Sequence, residues 1–155
     1  MRKSLKKQVE DSKLITEKDF QLFTRSVTEF RTFFGLLDWE IFSVLEEADE
    51  DLGSFRGWMR ANFEDRICII GLSPDWEFNY LKNDREICKV AFHECCELLL
   101  ANLGALGSAK FCSFEMNMAA HEVIRRLENS VFPLVEERVL GSANKQLKKA
   151  RSKKK

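Results

Sequence analysis

The chain has 155 residues, 45% hydrophobic and 32% charged, with 13 Phe and 3 Trp. This composition excludes a disordered or fibrous protein, and the length suits one domain with its own core. The formal charge of zero is an average, because residues 145–155 hold seven basic side chains and no acidic one, which leaves 18 basic against 25 acidic in residues 1–144.

Three regions are expected: a polar N-terminal segment over 1–15, a folded domain over 16–144 and a basic tail over 145–155. No apolar run in the chain approaches the roughly 20 residues that cross a bilayer, and MRKSLKKQVEDSKLITEKD lacks the apolar centre of a secretory signal. A soluble, cytoplasmic protein without a membrane partner is therefore expected.

The first helix starts at Thr16, whose hydroxyl can cap the backbone while Asp19 reaches back. Phe20, Phe23, Val27, Phe30 and Phe34 follow at spacings of three and four, and Gly35 ends the pattern. Trp39 to Leu45 reads as a strand. The acidic EEADEDLG after it reads as a solvated turn or, second, a cation site, although it lacks calcium-loop spacing. Phe55 to Asn62 and Arg66 to Leu72 read as two further strands joined by a short polar turn, with Pro74 closing the second. These three strands imply an α+β fold, rich in helix, with a small and largely antiparallel three-stranded sheet.

Asn83 and Asp84 offer an N-cap for the central helix, REICKVAFHECCELLLANLG, for which Gly104 is the expected terminator. The linker GALGSAK leads to a helix from about Phe114 to Ser130, and Pro133 opens a last helical segment that runs into the tail. Cys68, Cys88, Cys95, Cys96 and Cys112 are odd in number and lack CxxC spacing. They read as free, mostly buried thiols, with Cys95 and Cys96 as packing groups rather than nucleophiles. Trp39, Trp58 and Trp76 read as core or sheet-face anchors.

The chemistry concentrates at His93-Glu94-Cys95-Cys96-Glu97. On a helix, positions i and i+4 lie about 40° apart around the axis, so His93 and Glu97 point at one spot with Glu94 beside it. That is the geometry of HExxH, in which two side chains one turn apart bind zinc and the intervening Glu is the general base. Here Glu97 takes the place of the second His, and carboxylates are ordinary zinc ligands. His121, the other histidine of the chain, is the candidate third ligand, from the following helix. The set His93, Glu97 and His121 holds two imidazoles and one carboxylate, with Glu94 as base.

The order strand, strand, VAFHECCELLLANL helix, linker and AAHEVIRRLENSVF helix resembles the small zincin-like metallopeptidases of phage and prophage genomes, over roughly residues 39–132. The resemblance implies a zincin-like domain with a central metal-site helix and a bound zinc. It further implies hydrolysis of a peptide bond by a metal-bound water, with Glu94 removing the proton and a peptide or protein as substrate. HExxE in place of HExxH is its main departure.

A blander reading stands beside this one. Glu86, Lys89, His93 and Glu97 form one polar stripe, and His121 shares another with Asn117, Arg125 and Glu128, so both faces could simply be solvated. Val90, Cys96 and Leu100 intrude on the first stripe, which points to a cover over it. Three functions follow for test: a metal-dependent peptidase, in which the strand Arg66 to Leu72 or its neighbour offers an edge to an extended peptide; an inactive zincin-like fold that binds a partner protein; and a nucleic-acid-associated protein that uses the basic tail.

Overall fold

The computed structural model describes residues 14–47, 56–76, 82–107 and 111–141. The basic tail, most of the acidic segment after residue 45 and residues 1–13 lie outside them. The architecture is mixed: helix α1 (Glu17–Phe33), strands β1 (Glu40–Leu45), β2 (Gly57–Asn62) and β3 (Ile67–Leu72), then helices α2 (Asp84–Gly107) and α3 (Ser113–Ser130). A further helical segment, α4, covers 132–141. No helix among the described residues is long and apolar enough to cross a membrane.

Local signals set the ends of α1. The Thr16 hydroxyl accepts from the Asp19 backbone N–H at 3.3 Å, and the Asp19 carboxylate accepts from the Thr16 N–H at 2.9 Å, closing a capping box. At the other end Gly35 adopts φ +69°, its N–H reaches the Thr32 carbonyl and the Leu36 N–H reaches that of Arg31. This is a Schellman turn, in which the left-handed glycine satisfies carbonyls that the helix would leave open. Ahead of α1 the polar segment is pinned at its last residues: Ile15 is buried and its N–H donates to the Pro74 carbonyl.

The sheet order is β1-β3-β2, with β2 antiparallel to β3 and β1 parallel to it. The sheet is thus evenly mixed, not largely antiparallel. The reason is visible in the strands: ICIIGL in β3 is apolar on both faces and takes the centre, whereas EIFSVL and GWMRAN carry polar residues suited to edges. The β2–β3 hairpin turns at Asn62, whose side-chain oxygen accepts from the N–H groups of Glu64 and Asp65. With β2 on one side of β3 as its hairpin partner, β1 occupies the other side, in parallel.

Helix α2 is the centre of the molecule. It packs against α1, α3, β2 and β3, and Ile87, Cys88, Ala91, Phe92, Cys95, Cys96 and Leu98 are buried along it. Phe92 meets Phe30 edge-on at 5.2 Å and lies 5.3 Å from both Phe34 and Phe132, which joins α1, α2 and α4 in one aromatic cluster. Asn83 caps the start, accepting from the Glu86 N–H at 3.0 Å. The helix does not stop at Gly104. It runs to Gly107, because Ala105 and Leu106 favour helix and a lone glycine costs only about 1 kcal/mol against alanine. Three residues of the expected linker, 108–110, are outside the described residues.

Of the five cysteines, Cys68, Cys88, Cys95 and Cys96 are buried and free, while Cys112 is free but exposed. Trp39 and Trp76 are buried anchors, and the Trp58 ring packs over Gly71, its register partner on β3.

Candidate metal centre

The polar stripe of α2 is covered. Glu94 is 4% exposed, and the His93 and Glu97 side chains are each 27% exposed, because β2 passes over one side of the stripe and α3 over the other. Burial of this face excludes the open, wet helix surface that the same residues would also allow.

The close approach of β2 depends on Gly57. A Cβ there would meet Val90 Cγ1 at 2.4 Å and Glu94 Oε1 at 2.9 Å, so the strand can lie against α2 only where it lacks a side chain. On the opposite flank α3 is anchored by buried Ile124, with Leu127 packed against the core. That anchoring turns the other stripe of α3, with Asn117, His121 and Glu128, toward α2.

Four residues singled out from the sequence therefore meet. His93, Glu97 and His121 each offer a ligand atom within 4.8 Å of the other two. His93 Nε2 lies 3.4 Å from Glu97 Oε1, and His121 Nε2 lies 3.3 Å from the same oxygen. The two rings are 5.7 Å apart between centroids. Glu94 stands one residue along from His93, at the wall against Gly57.

The other ring nitrogens are spoken for. His93 Nδ1 is 2.8 Å from Glu128 Oε1, and His121 Nδ1 is 2.9 Å from the Asn117 carbonyl oxygen. A neutral histidine that donates from Nδ1 presents a lone pair at Nε2, which is the nitrogen that faces Glu97 in both cases. Lys89 holds the other Glu128 oxygen at 3.5 Å. The sequence reading gives Glu128, Gly57 and the Asn117 carbonyl no part in the site. Asn117, His121 and Glu128 do share one helical face, at i, i+4 and i+11, but nothing in the sequence tells which face of α3 meets His93.

Three carboxylates, Glu94, Glu97 and Glu128, crowd this centre. Burial and the neighbouring Glu97 charge raise the Glu94 pKa well above the ordinary carboxylate range. Burial opposes a charge on His93, but the Glu128 and Glu97 carboxylates outweigh it and push its pKa up to about 10. Glu128 also resists its burial, and its bond to His93 and the nearby Lys89 hold its pKa low. The crowded carboxylates thus favour positive charge at this centre, here a proton on His93.

The centre opens into a cleft of about 290 Å³, with His93, Glu94 and Glu97 as its floor, Gly57, Trp58 and Met59 on one wall, and Asn117 and His121 on the other. The His121 side chain is 44% exposed, so the opening lies on the α3 side.

Two of the three donor–donor separations suit a zinc ion, and all three lie within 4.8 Å. Two ligand atoms at about 2.0–2.1 Å from a tetrahedral ion lie about 3.3 Å from each other. The observed 3.3 and 3.4 Å fit that separation and are long for charge-assisted hydrogen bonds, which close to about 2.7–2.9 Å. No protein-family model, curated protein or solved structure matches the chain, so its geometry carries the functional reading.

Proposed function

We propose that this protein is a zincin-like, metal-dependent peptidase whose ion is held by His93, Glu97 and His121. The observation that carries the reading is the convergence of two Nε2 atoms and one carboxylate oxygen at ligand-like separations, with both Nδ1 atoms committed elsewhere. Three protein ligands and an open side match a catalytic rather than a closed structural zinc site.

When bound, the ion would supply Lewis-acid polarisation of water and of the scissile carbonyl. The chain's own part falls to Glu94. It lines the cleft beside the ligand group, where its carboxylate would take a proton from the attacking water and hand it to the departing nitrogen. The wall against Gly57 restricts the rotation of its carboxylate, which keeps the proton acceptor beside the ligand cluster.

Support for an extended peptide comes from β2. With β3 at the centre of the sheet, β3 has no free edge to offer; β2 is an edge strand, and its first residues, Gly57, Trp58 and Met59, line the cleft. An extended peptide in the cleft would lie alongside this strand.

The test starts with metal content, measured on protein purified without added zinc or a metal-affinity tag. About one equivalent is expected, lost in His93→Ala and in His121→Ala but kept in Glu94→Gln. Hydrolysis of a fluorogenic peptide pool should vanish in all three variants. Metal retained without any turnover by the wild type would instead favour an inactive fold that binds a partner, and absence of metal under every condition would sink the proposal.

A further inference from the structure

Glu128 contributes no atom to the ligand group, yet it is one of the most constrained side chains around it, at 14% exposure. One carboxylate oxygen takes the His93 Nδ1 contact at 2.8 Å, the shortest contact His93 makes, and the other faces Lys89 at 3.5 Å. Lys89 sits one helical turn before His93 on α2, so Glu128 is gripped from two successive turns of the same face. An interhelical tie of this form sets both the ring plane and the tautomer of the histidine.

We infer that Glu128 is the positioning residue of the metal centre: by accepting the His93 Nδ1 proton it fixes the ring with Nε2 toward Glu97 and His121, and its charge strengthens that nitrogen as a donor. The inference rests on the metal reading above and assigns Glu128 a role that the ligand set alone does not contain. His121 has a neutral carbonyl, Asn117 O, in the equivalent place, so the two imidazoles are unequal: His93 is the stronger donor and His121 the weaker, more exposed one. A structural ion pair between helices would make the same two contacts, and metal affinity is the readout that separates the two roles.

The experiment uses the full chain, freed of metal by a chelator and titrated with Co²⁺, whose visible absorption reports coordination; Zn²⁺ affinity follows from competition. Wild type should saturate at one equivalent. Glu128→Ala should weaken binding by up to about 100-fold and shift the absorption. Glu128→Gln, whose amide oxygen can still accept the proton without a charge, should lose about tenfold. Arg126→Ala breaks an exposed pair with Glu122 on the same helix and should change neither value.

If both Glu128 variants bind within twofold of wild type with an unshifted spectrum, the positioning role is wrong although the metal centre stands. If wild type takes up no Co²⁺ or Zn²⁺, the metal reading itself fails and the inference falls with it. Should Glu128→Ala not fold, Glu128→Gln decides alone, and a loss of twofold or less overturns the role.

Discussion

Two glycine-to-alanine substitutions should move stability in opposite directions. At Gly57 an added Cβ would sit 2.4 Å from Val90 Cγ1, 2.9 Å from Glu94 Oε1 and 3.1 Å from the Gly71 carbonyl oxygen. The methyl and the carboxylate belong to buried side chains and the third atom is backbone, so none can swing away into solvent. Overpacking of this kind costs about 1–3 kcal/mol, offset by about 0.4–1 kcal/mol because alanine stiffens the unfolded chain. A net loss of about 1–2 kcal/mol corresponds to about 2–8 °C in Tm for a chain of this size. At Gly104, inside α2, an added Cβ meets nothing within 4 Å. Gly104→Ala should therefore raise stability by about 0.5–1 kcal/mol through helix propensity alone. Thermal melts of both variants in chelator test this without reference to any metal. Because Glu94 is one of the groups that must yield, peptide hydrolysis should drop in Gly57→Ala and hold in Gly104→Ala. A Gly57→Ala protein that melts at or above wild type would refute the close β2–α2 contact on which the placement of Glu94 rests.

Zinc at a free concentration of a hundred times its Kd should stabilise the protein by about 2.7 kcal/mol, or about 5–11 °C in Tm, with slowed amide exchange concentrated in α3; an unchanged melt with and without chelator would count against a site between α2 and α3. Asp19 is partly buried, which opposes its charge, but Thr16 and Lys82 prevail and hold its pKa below the ordinary 3.8. A depressed carboxyl pKa gives stability that is complete above the unfolded value and lost as pH falls through the folded value, so Asp19→Asn should flatten the acid limb of a stability profile below about pH 4. A limb of unchanged slope in that variant would remove Asp19 from the account. Phe92→Ala should cost about 3–5 kcal/mol, read from the urea midpoint, because it empties the junction of Phe30, Phe34 and Phe132. A cost under 1 kcal/mol would show that these rings do not form one packed cluster.

Legibility in the sequence follows the range of the interaction. The capping box of Thr16 and Asp19, the glycine turn at Gly35 and the Asn83 cap are all closed by residues a few positions apart, and each appears in the structure where the pattern puts it. The pairing of His93 with Glu97 is equally local, since one helical turn brings them together whatever surrounds them. Gly104 shows the limit of local rules: glycine ends a helix only when the next residues leave it, and Ala105 and Leu106 do not. The strand directions were beyond such rules altogether. Alternation and turn residues mark where β1, β2 and β3 lie, but the place of β1 beside β3 depends on which strand is buried on both faces.

The candidate centre divides in the same way. The sequence by itself determined a mixed helix-and-strand chain, a central helix with His93, Glu94 and Glu97 on one face, and a second histidine-bearing helix after it. Only the tertiary structure decided that the face is covered rather than wet, that His121 reaches the same oxygen as His93, and that Glu128 and the Asn117 carbonyl hold the far sides of the two rings. The physical reason is that a helix specifies its own faces through a fixed repeat of 3.6 residues, whereas the rotation and depth of one helix against another are set by core packing. Here that packing is the seating of Ile124 and Leu127 of α3 on the core and the room that Gly57 leaves between β2 and α2.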